Sequence, residues 1–275
     1  MDETQAIQQP IKRSKLRQIL GKEYYILKTK IAWWLSSRRW AGTIEEPWKR
    51  HEVFTHRSPI LRQLKDVDMY LQENKRTNLR IAIRALHGLV IKPGETFSFW
   101  KQVGRPTKKK GYLDGLILQQ GQLAKGTGGG LCQLGNLLFW IFAHSPLAIT
   151  QRWRHGFDVF PDVHRTIPFG AGATLSYNHV DLQITNKTDS DFQLLLWLDD
   201  TYLNGSLLST TKPLSYYQVV ERNHSIRQQI WGGYSRHNQI FQIEYSQDQI
   251  ISEKLLVENH AMMMYSPLLE MVNIH

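Results

Sequence analysis

At Lys92-Pro93-Gly94 the spacing of apolar residues in this 275-residue chain changes. Before it, large apolar residues return every three or four positions. After it, they alternate or gather in short runs bounded by Asn, Asp and Gly. Steps of three and four put side chains on one face of a helix, whereas alternation puts them on one side of a sheet. After the switch only one helical stripe remains: Leu134, Leu137, Leu138, Ile141 and Phe142. The fold class is therefore α+β, with N-terminal helices, a Cys-bearing central helix and a mostly antiparallel β-sheet.

Three helices are expected before the switch. The first carries Leu16, Leu20, Tyr24, Leu27, Ile31 and Trp34 on one face. Gly42 to Pro59 reads as loop, bracketed by Pro47 and Pro59. A second helix is expected from about Pro59 to Tyr70, and a third begins at Asn78 as N-cap. After the switch, strands are expected near Phe97, at Leu116 to Gln120, at Leu175 to Tyr177, at Val180 to Thr185 and at Phe192 to Leu198. Four more follow at Tyr216 to Val220, Ile226 to Ile230, Gln239 to Tyr245 and Ile250 to Val257. The organisation that results is a basic helical extension over 1–58, a core domain over 59–200 and a β-rich segment over 201–275.

Charge narrows the partners. Residues 11–39 hold nine Lys and Arg and one acid, Glu23, a net +8 of the total +10. The rest of the chain, at +2, is too nearly neutral for a general nucleic-acid-binding surface. Two readings of the basic helix stand side by side. It packs on the domain with a solvated basic side, or it lies on anionic lipid, where Trp33, Trp34 and Trp40 suit an interface. There is no apolar run of roughly 18 residues to span a membrane. The start is polar, with no apolar region before a cleavage site, so the expected location is cytoplasmic, with peripheral contact at the inner membrane face.

The chain has one cysteine, Cys132, preceded by Gly128-Gly129-Gly130-Leu131. A single cysteine makes no internal disulfide and no Cys-rich zinc site. A glycine-rich turn entering a helix leaves N–H groups that favour negative charge. They would lower the thiol pKa and serve as an oxyanion hole, with Gln133 as a further donor. The plain alternative is that Cys132 is a small packed hydrophobe and the glycines let a helix approach a strand closely. No Gly-Lys-Ser/Thr follows, so a phosphate loop is not indicated.

The block Pro93-Gly94-Glu95-Thr96-Phe97-Ser98-Phe99, then Gly111-Tyr112, then Gly128-Gly129-Gly130-Leu131-Cys132-Gln133-Leu134 resembles the signature of the VanW-like family. Ala173-Thr174, Asp181-Leu182 and Asn186-Lys187-Thr188 resemble its later blocks. The similarity runs from roughly Asn74 to Leu198. It implies an association with glycopeptide (vancomycin) resistance and cell-wall metabolism, with no cofactor. Many relatives carry an Asp just before the Ala-Thr pair, where this chain has Gly172.

A cysteine nucleophile needs a base and often an acid to orient it. His155 is the first choice of base and matches a family histidine. His164 and His179 come second. Asp181 is the orienting acid and also matches a family position. Asn136 and Glu95 are further polar candidates, each with an ordinary structural reading. His155, Asp158, Asp162 and His164 form a local cluster, but their spacing matches no metal motif, so no metal is expected. Two functions remain. One is a Cys-dependent amide hydrolase or acyl transferase on peptidoglycan-related peptides, with Cys132 attacking and Gly128, Gly129, Gly130 and Gln133 binding. The other is a non-catalytic module that binds a wall precursor, an anionic ligand or a protein.

Overall fold

The structure, a computed structural model, describes residues 14–48, 50–61, 69–119, 122–159, 167–177, 180–230 and 232–267. The chain divides into two compact units, residues 1–37 and 38–275. The first holds helix α1 (Lys15–Leu35), whose N-terminus is capped by the Ser14 side chain accepting from the Arg17 amide. The expected face Leu16, Leu20, Tyr24, Leu27, Ile31 and Trp34 forms on this helix, and every one of the six is exposed.

In the second unit, helix α2 (Met69–Arg84) is followed by the short helix α3 (Phe99–Val103) and by α4 (Leu131–Ala143), the cysteine-bearing helix. Ten of the thirteen residues of α4 are buried. A helix apolar on nearly every side has to sit inside the core, and α4 is buried except where Cys132 and Asn136 reach the surface. A five-stranded antiparallel sheet covers one side, in the order Thr43–Ile44, Leu89–Ile91, Phe192–Leu198, Tyr202–Ser209, His51–Pro59. A Cβ at Gly205 of that sheet would lie 2.7 Å from Ile141 Cδ1, which shows how closely the sheet approaches the helix. A second sheet contains Glu95–Ser98, Gln183–Thr185 and Ala148–Gln151. Its Phe97 ring meets Phe142 of α4 at 5.5 Å between centroids.

The third sheet is built from the long strands Tyr216–Gln228, Tyr234–Ser246 and Gln249–Met263. Gln247 and Asp248, both left-handed, form the two-residue turn between the last two; that turn geometry matches the natural twist of a hairpin. Gln242 of this sheet donates to the carbonyls of Ala143 and Ser145 and so satisfies the end of α4. A separate hairpin, Asp114–Gln119 with Gln122–Thr127, leads into α4.

Several sequence expectations need correction. His51–Pro59 is a strand, where loop was expected, and it pairs with Tyr202–Ser209 along its whole length. Hydrogen bonds of one sheet therefore cross the expected boundaries at 58/59 and 200/201. The second helix does not begin at Pro59, which ends that strand; its middle, 62–68, lies outside the described residues. Asn78 is no N-cap, because α2 already runs through it. Leu175 to Tyr177 and Val180 to Thr185 contribute only a single bridge, Ser176 to Val180, and the short strand Gln183–Thr185. The stretches Tyr216 to Val220 and Ile226 to Ile230 form one strand, Tyr216–Gln228, bulged between Arg222 and Ser225, where Asn223 takes a positive φ of 53°.

Candidate functional site

The glycine run is built by its neighbours. Gly129 crosses Gly115 of the hairpin so closely that a Cβ on Gly115 would lie 2.7 Å from the Gly129 carbonyl oxygen. Asn78 of α2 clamps the crossing: its Nδ2 donates to the carbonyls of Gly129 (2.9 Å) and Leu113 (3.0 Å), and its Oδ1 accepts from the Leu113 amide. The three glycine amides are spent on the same frame. Gly128 N–H donates to Leu113, Gly129 N–H to Gly126 and Gly130 N–H to Leu116. Gly130, at φ 94°, caps α4 in the left-handed conformation. The Gln133 side chain donates to Ser58 Oγ (3.0 Å) and to the Pro59 carbonyl (2.6 Å). The donor nest expected at Gly128, Gly129, Gly130 and Gln133 is thus already filled from within. The close-approach reading describes the glycines better.

Cys132 is the second residue of α4 and its side chain is exposed. On its other sides protein crowds the sulfur, and this desolvation pushes the thiol pKa up. The thiol donates to the Leu175 carbonyl at 3.7 Å, and its own amide faces the sulfur. No imidazole and no charged side chain acts on it among the described residues.

Asp181 is buried, and four donors converge on it. Oδ2 accepts from Ser98 Oγ (2.6 Å) and Gln183 Nε2 (3.1 Å); Oδ1 accepts from the amides of Trp100 (3.1 Å) and Leu182 (2.9 Å). It thereby ties the start of α3 to the second sheet. Burial raises its pKa above the usual carboxylate value, against the pull of those donors. None of the four belongs to His155. The structure therefore does not bring Cys132, His155 and Asp181 into one hydrogen-bonded chain.

His155 meets the strap 172–175 through its amide. Asn136, one turn beyond Cys132, holds that strap by accepting from the Ala173 amide at 2.9 Å. A Cβ at Gly172 would overlap Asn136, with Cγ at 2.8 Å, so this glycine fits the asparagine. Thr174 donates its amide to Trp153 and accepts from the His155 amide at 3.1 Å.

There His155 opens onto a cleft of about 210 Å³ lined by Arg152, Arg154, Glu258, Asn259 and His260. Its Nδ1 is buried; burial and then the neighbouring Arg154 lower the ring's pKa, against the pull of backbone hydrogen bonding at Phe157 and of Asp158. Arg152 is anchored. Nε donates to the Gly172 carbonyl (2.8 Å), Nη2 donates to the Gly170 carbonyl and to Asn259 Oδ1, and the guanidinium lies over Phe139. Burial and the neighbouring Arg154 bring its pKa down to about 9. Arg154 and Arg236 both stack on Phe169, at 4.5 and 4.6 Å. Asp158 pairs with Arg236 at 3.5 Å and accepts from Tyr265. At the rim Glu258 approaches His260 at 3.5 Å.

The sequence signal for this cleft is the pair Arg152 and Arg154 beside His155. The half of the wall on Gln249–Met263 has no local signal, because it arrives from about 100 residues away. His164, His179 and Asp162 lie outside the described residues. Glu95 accepts from the Lys92 amide across its turn, at 3.0 Å, its plain structural reading. Among the described residues, no three His, Cys, Asp or Glu side chains are placed to hold a metal ion.

Over residues 74–208 the chain matches the family described as VanW like protein. It is 36% identical over 236 residues to the Vancomycin B-type resistance protein VanW of Enterococcus faecalis, covering 86% of each chain. It is also 36% identical over 110 residues to a Bacillus subtilis protein named Uncharacterized protein YoaR, covering 40% of this chain and 35% of that one. No solved structure matches the chain. The chain belongs to the VanW-like family.

Proposed function

We propose that this chain serves glycopeptide (vancomycin) resistance and cell-wall metabolism as a binding module. In this reading the cleft at Arg152, Arg154 and His155 receives an acidic group of a peptidoglycan-related peptide. The association with resistance rests on the similarity to the Enterococcus faecalis protein. The observation that carries the binding site is the cleft itself, which sets two arginines beside an imidazole. Guanidinium groups match carboxylate and phosphate geometry.

The test is calorimetric titration with a soluble muramyl peptide bearing a free C-terminal carboxylate, and with its C-terminal amide. The acid is expected to bind and the amide to bind far more weakly. Arg154→Gln is expected to weaken the acid by about 10- to 100-fold, the range for a hydrogen bond to a charged group. Equal affinity for acid and amide, or no binding of either, sinks the reading.

A second reading, the Cys-dependent hydrolase or acyl transferase, has one observation in its favour: Cys132 is exposed at the start of a buried helix. The raised thiol pKa weighs against it, since the thiolate is the nucleophile. Alkylation of Cys132 in the folded protein is expected to be slow at neutral pH. It should show an apparent pKa above the ordinary value of about 8.5 and be indifferent to His155→Ala. A lowered pKa that His155→Ala restores, together with turnover lost in Cys132→Ser, returns the enzyme reading to first place.

A further inference from the structure

Helix α1 carries an apolar stripe of exposed side chains. Leu16, Leu20, Tyr24, Leu27, Ile31 and Trp34 follow one another at steps of three and four, and their exposure runs from 46% at Ile31 to 83% at Trp34. At 1.5 Å per residue the stripe is about 27 Å long. Single exposed apolar residues are ordinary, but a contiguous row of six marks a surface that meets something.

The charges beside the stripe identify what that is. At 100° per residue, Arg17 and Lys28 fall along one border and Lys30 along the other beside Glu23, the only acid in the helix. All three basic side chains are exposed. We infer that α1 lies flat on an anionic lipid surface, with the stripe entering the boundary between headgroups and acyl chains and Arg17, Lys28 and Lys30 against lipid phosphates. The helix lies on the bilayer and does not cross it: no described helix is long and apolar enough to span a membrane. An interfacial helix is instead expected to be moderately apolar, to have basic borders and to carry aromatic residues among its apolar ones, and Tyr24 and Trp34 supply these. A second copy of the helix fits less well, because three of the four charged residues bordering the stripe are basic and packing stripe on stripe would crowd cations together. This inference is independent of the cleft and would survive the failure of the binding reading.

The full-length protein is mixed with vesicles of phosphatidylcholine, or of phosphatidylcholine with phosphatidylglycerol, and floated on a density gradient. It is expected to float with the anionic vesicles and to remain below with the neutral ones, and added salt should release it. The triple variant Arg17→Gln, Lys28→Gln, Lys30→Gln is expected to partition about a hundredfold less, at about fivefold for each basic residue near an anionic surface. Leu20→Asp with Leu27→Asp is expected to abolish flotation while leaving the thermal unfolding of residues 38–275 in place. Equal flotation on both vesicle types, or flotation indifferent to both variants, overturns the inference. So does a dimer in sedimentation velocity that the Leu20→Asp, Leu27→Asp variant dissociates, which would assign the stripe to a second copy.

Discussion

Asp181→Ala is expected to destabilise the folded protein by about 3–5 kcal/mol, since several buried donors, at about 1–3 kcal/mol each, are left without their acceptor. For a body of this size that lowers the melting temperature by about 10 °C or more. Four donors lose their acceptor at once: the Ser98 hydroxyl, the Gln183 amide and the backbone N–H groups of Trp100 and Leu182. Ser98 also accepts from the Lys101 amide, and the Gln183 carbonyl oxygen accepts from Arg38 at 2.7 Å. The damage therefore reaches the start of α3 and the edge of the second sheet.

The same residue adds a pH dependence. Burial holds its folded pKa above the ordinary 3.8, so between 3.8 and the raised value the folded state binds more protons than the unfolded one. Its contribution to stability is greatest below that window and declines as pH rises through it. The stability gap between wild type and Asp181→Ala should accordingly be widest in acid and narrower at neutral pH. Thermal melts of both proteins across that range measure the gap. A variant that melts like wild type but loses a reaction would make Asp181 a catalytic residue after all.

The legible part of this structure was the part with local period. The stripe Leu134, Leu137, Leu138, Ile141 and Phe142 identifies α4 because every one of those residues is buried. Phe192–Leu198, a run of apolar residues between aspartates, is a strand at the centre of its sheet, apolar because Leu89–Ile91 and Tyr202–Ser209 flank it. His51–Pro59 was not legible. It is the last strand of that sheet, and only one of its edges meets another strand. Its exposed positions carry His51, Glu52 and Arg57, and such polar edges hide the alternation that marks an inner strand.

The candidate site divides in the same way. Cys132 and its glycines are adjacent in sequence, and their neighbourhood could be named from the motif. What those residues do depends on partners at a distance, such as Leu113, Leu116 and Asn78 for the glycines and Ser98 for Asp181. A histidine and an aspartate downstream of a cysteine have the order of a catalytic set. Order alone does not join them, and here Cys132 bonds to the Leu175 carbonyl and the His155 amide to Thr174, with no hydrogen bond from one to the other.

Gly129→Ala is expected to be nearly as damaging as loss of Asp181, at about 3 kcal/mol or more, and to lower the yield of soluble protein. A Cβ at this position would fall within the van der Waals envelope of the Gly115 backbone. Overpacking against side chains costs about 1–3 kcal/mol because they can turn away, whereas the hairpin backbone cannot. The hairpin is held by the Gly128 and Gly130 amides and by Asn78, so relief at Gly129 has to break those bonds. Gly42→Ala is the control. It has nothing within 4 Å of the added carbon and no positive φ, so its effect should stay within about 0.5 kcal/mol. Denaturant unfolding of the two variants separates the possible roles of the glycine run. A large loss at Gly129 beside none at Gly42 means that the run exists to let the hairpin cross the entrance to α4. A Gly129→Ala protein as stable as wild type but unable to bind its ligand would mean that the closeness serves a ligand backbone, and the recognition site would then move from the arginine cleft to the cysteine.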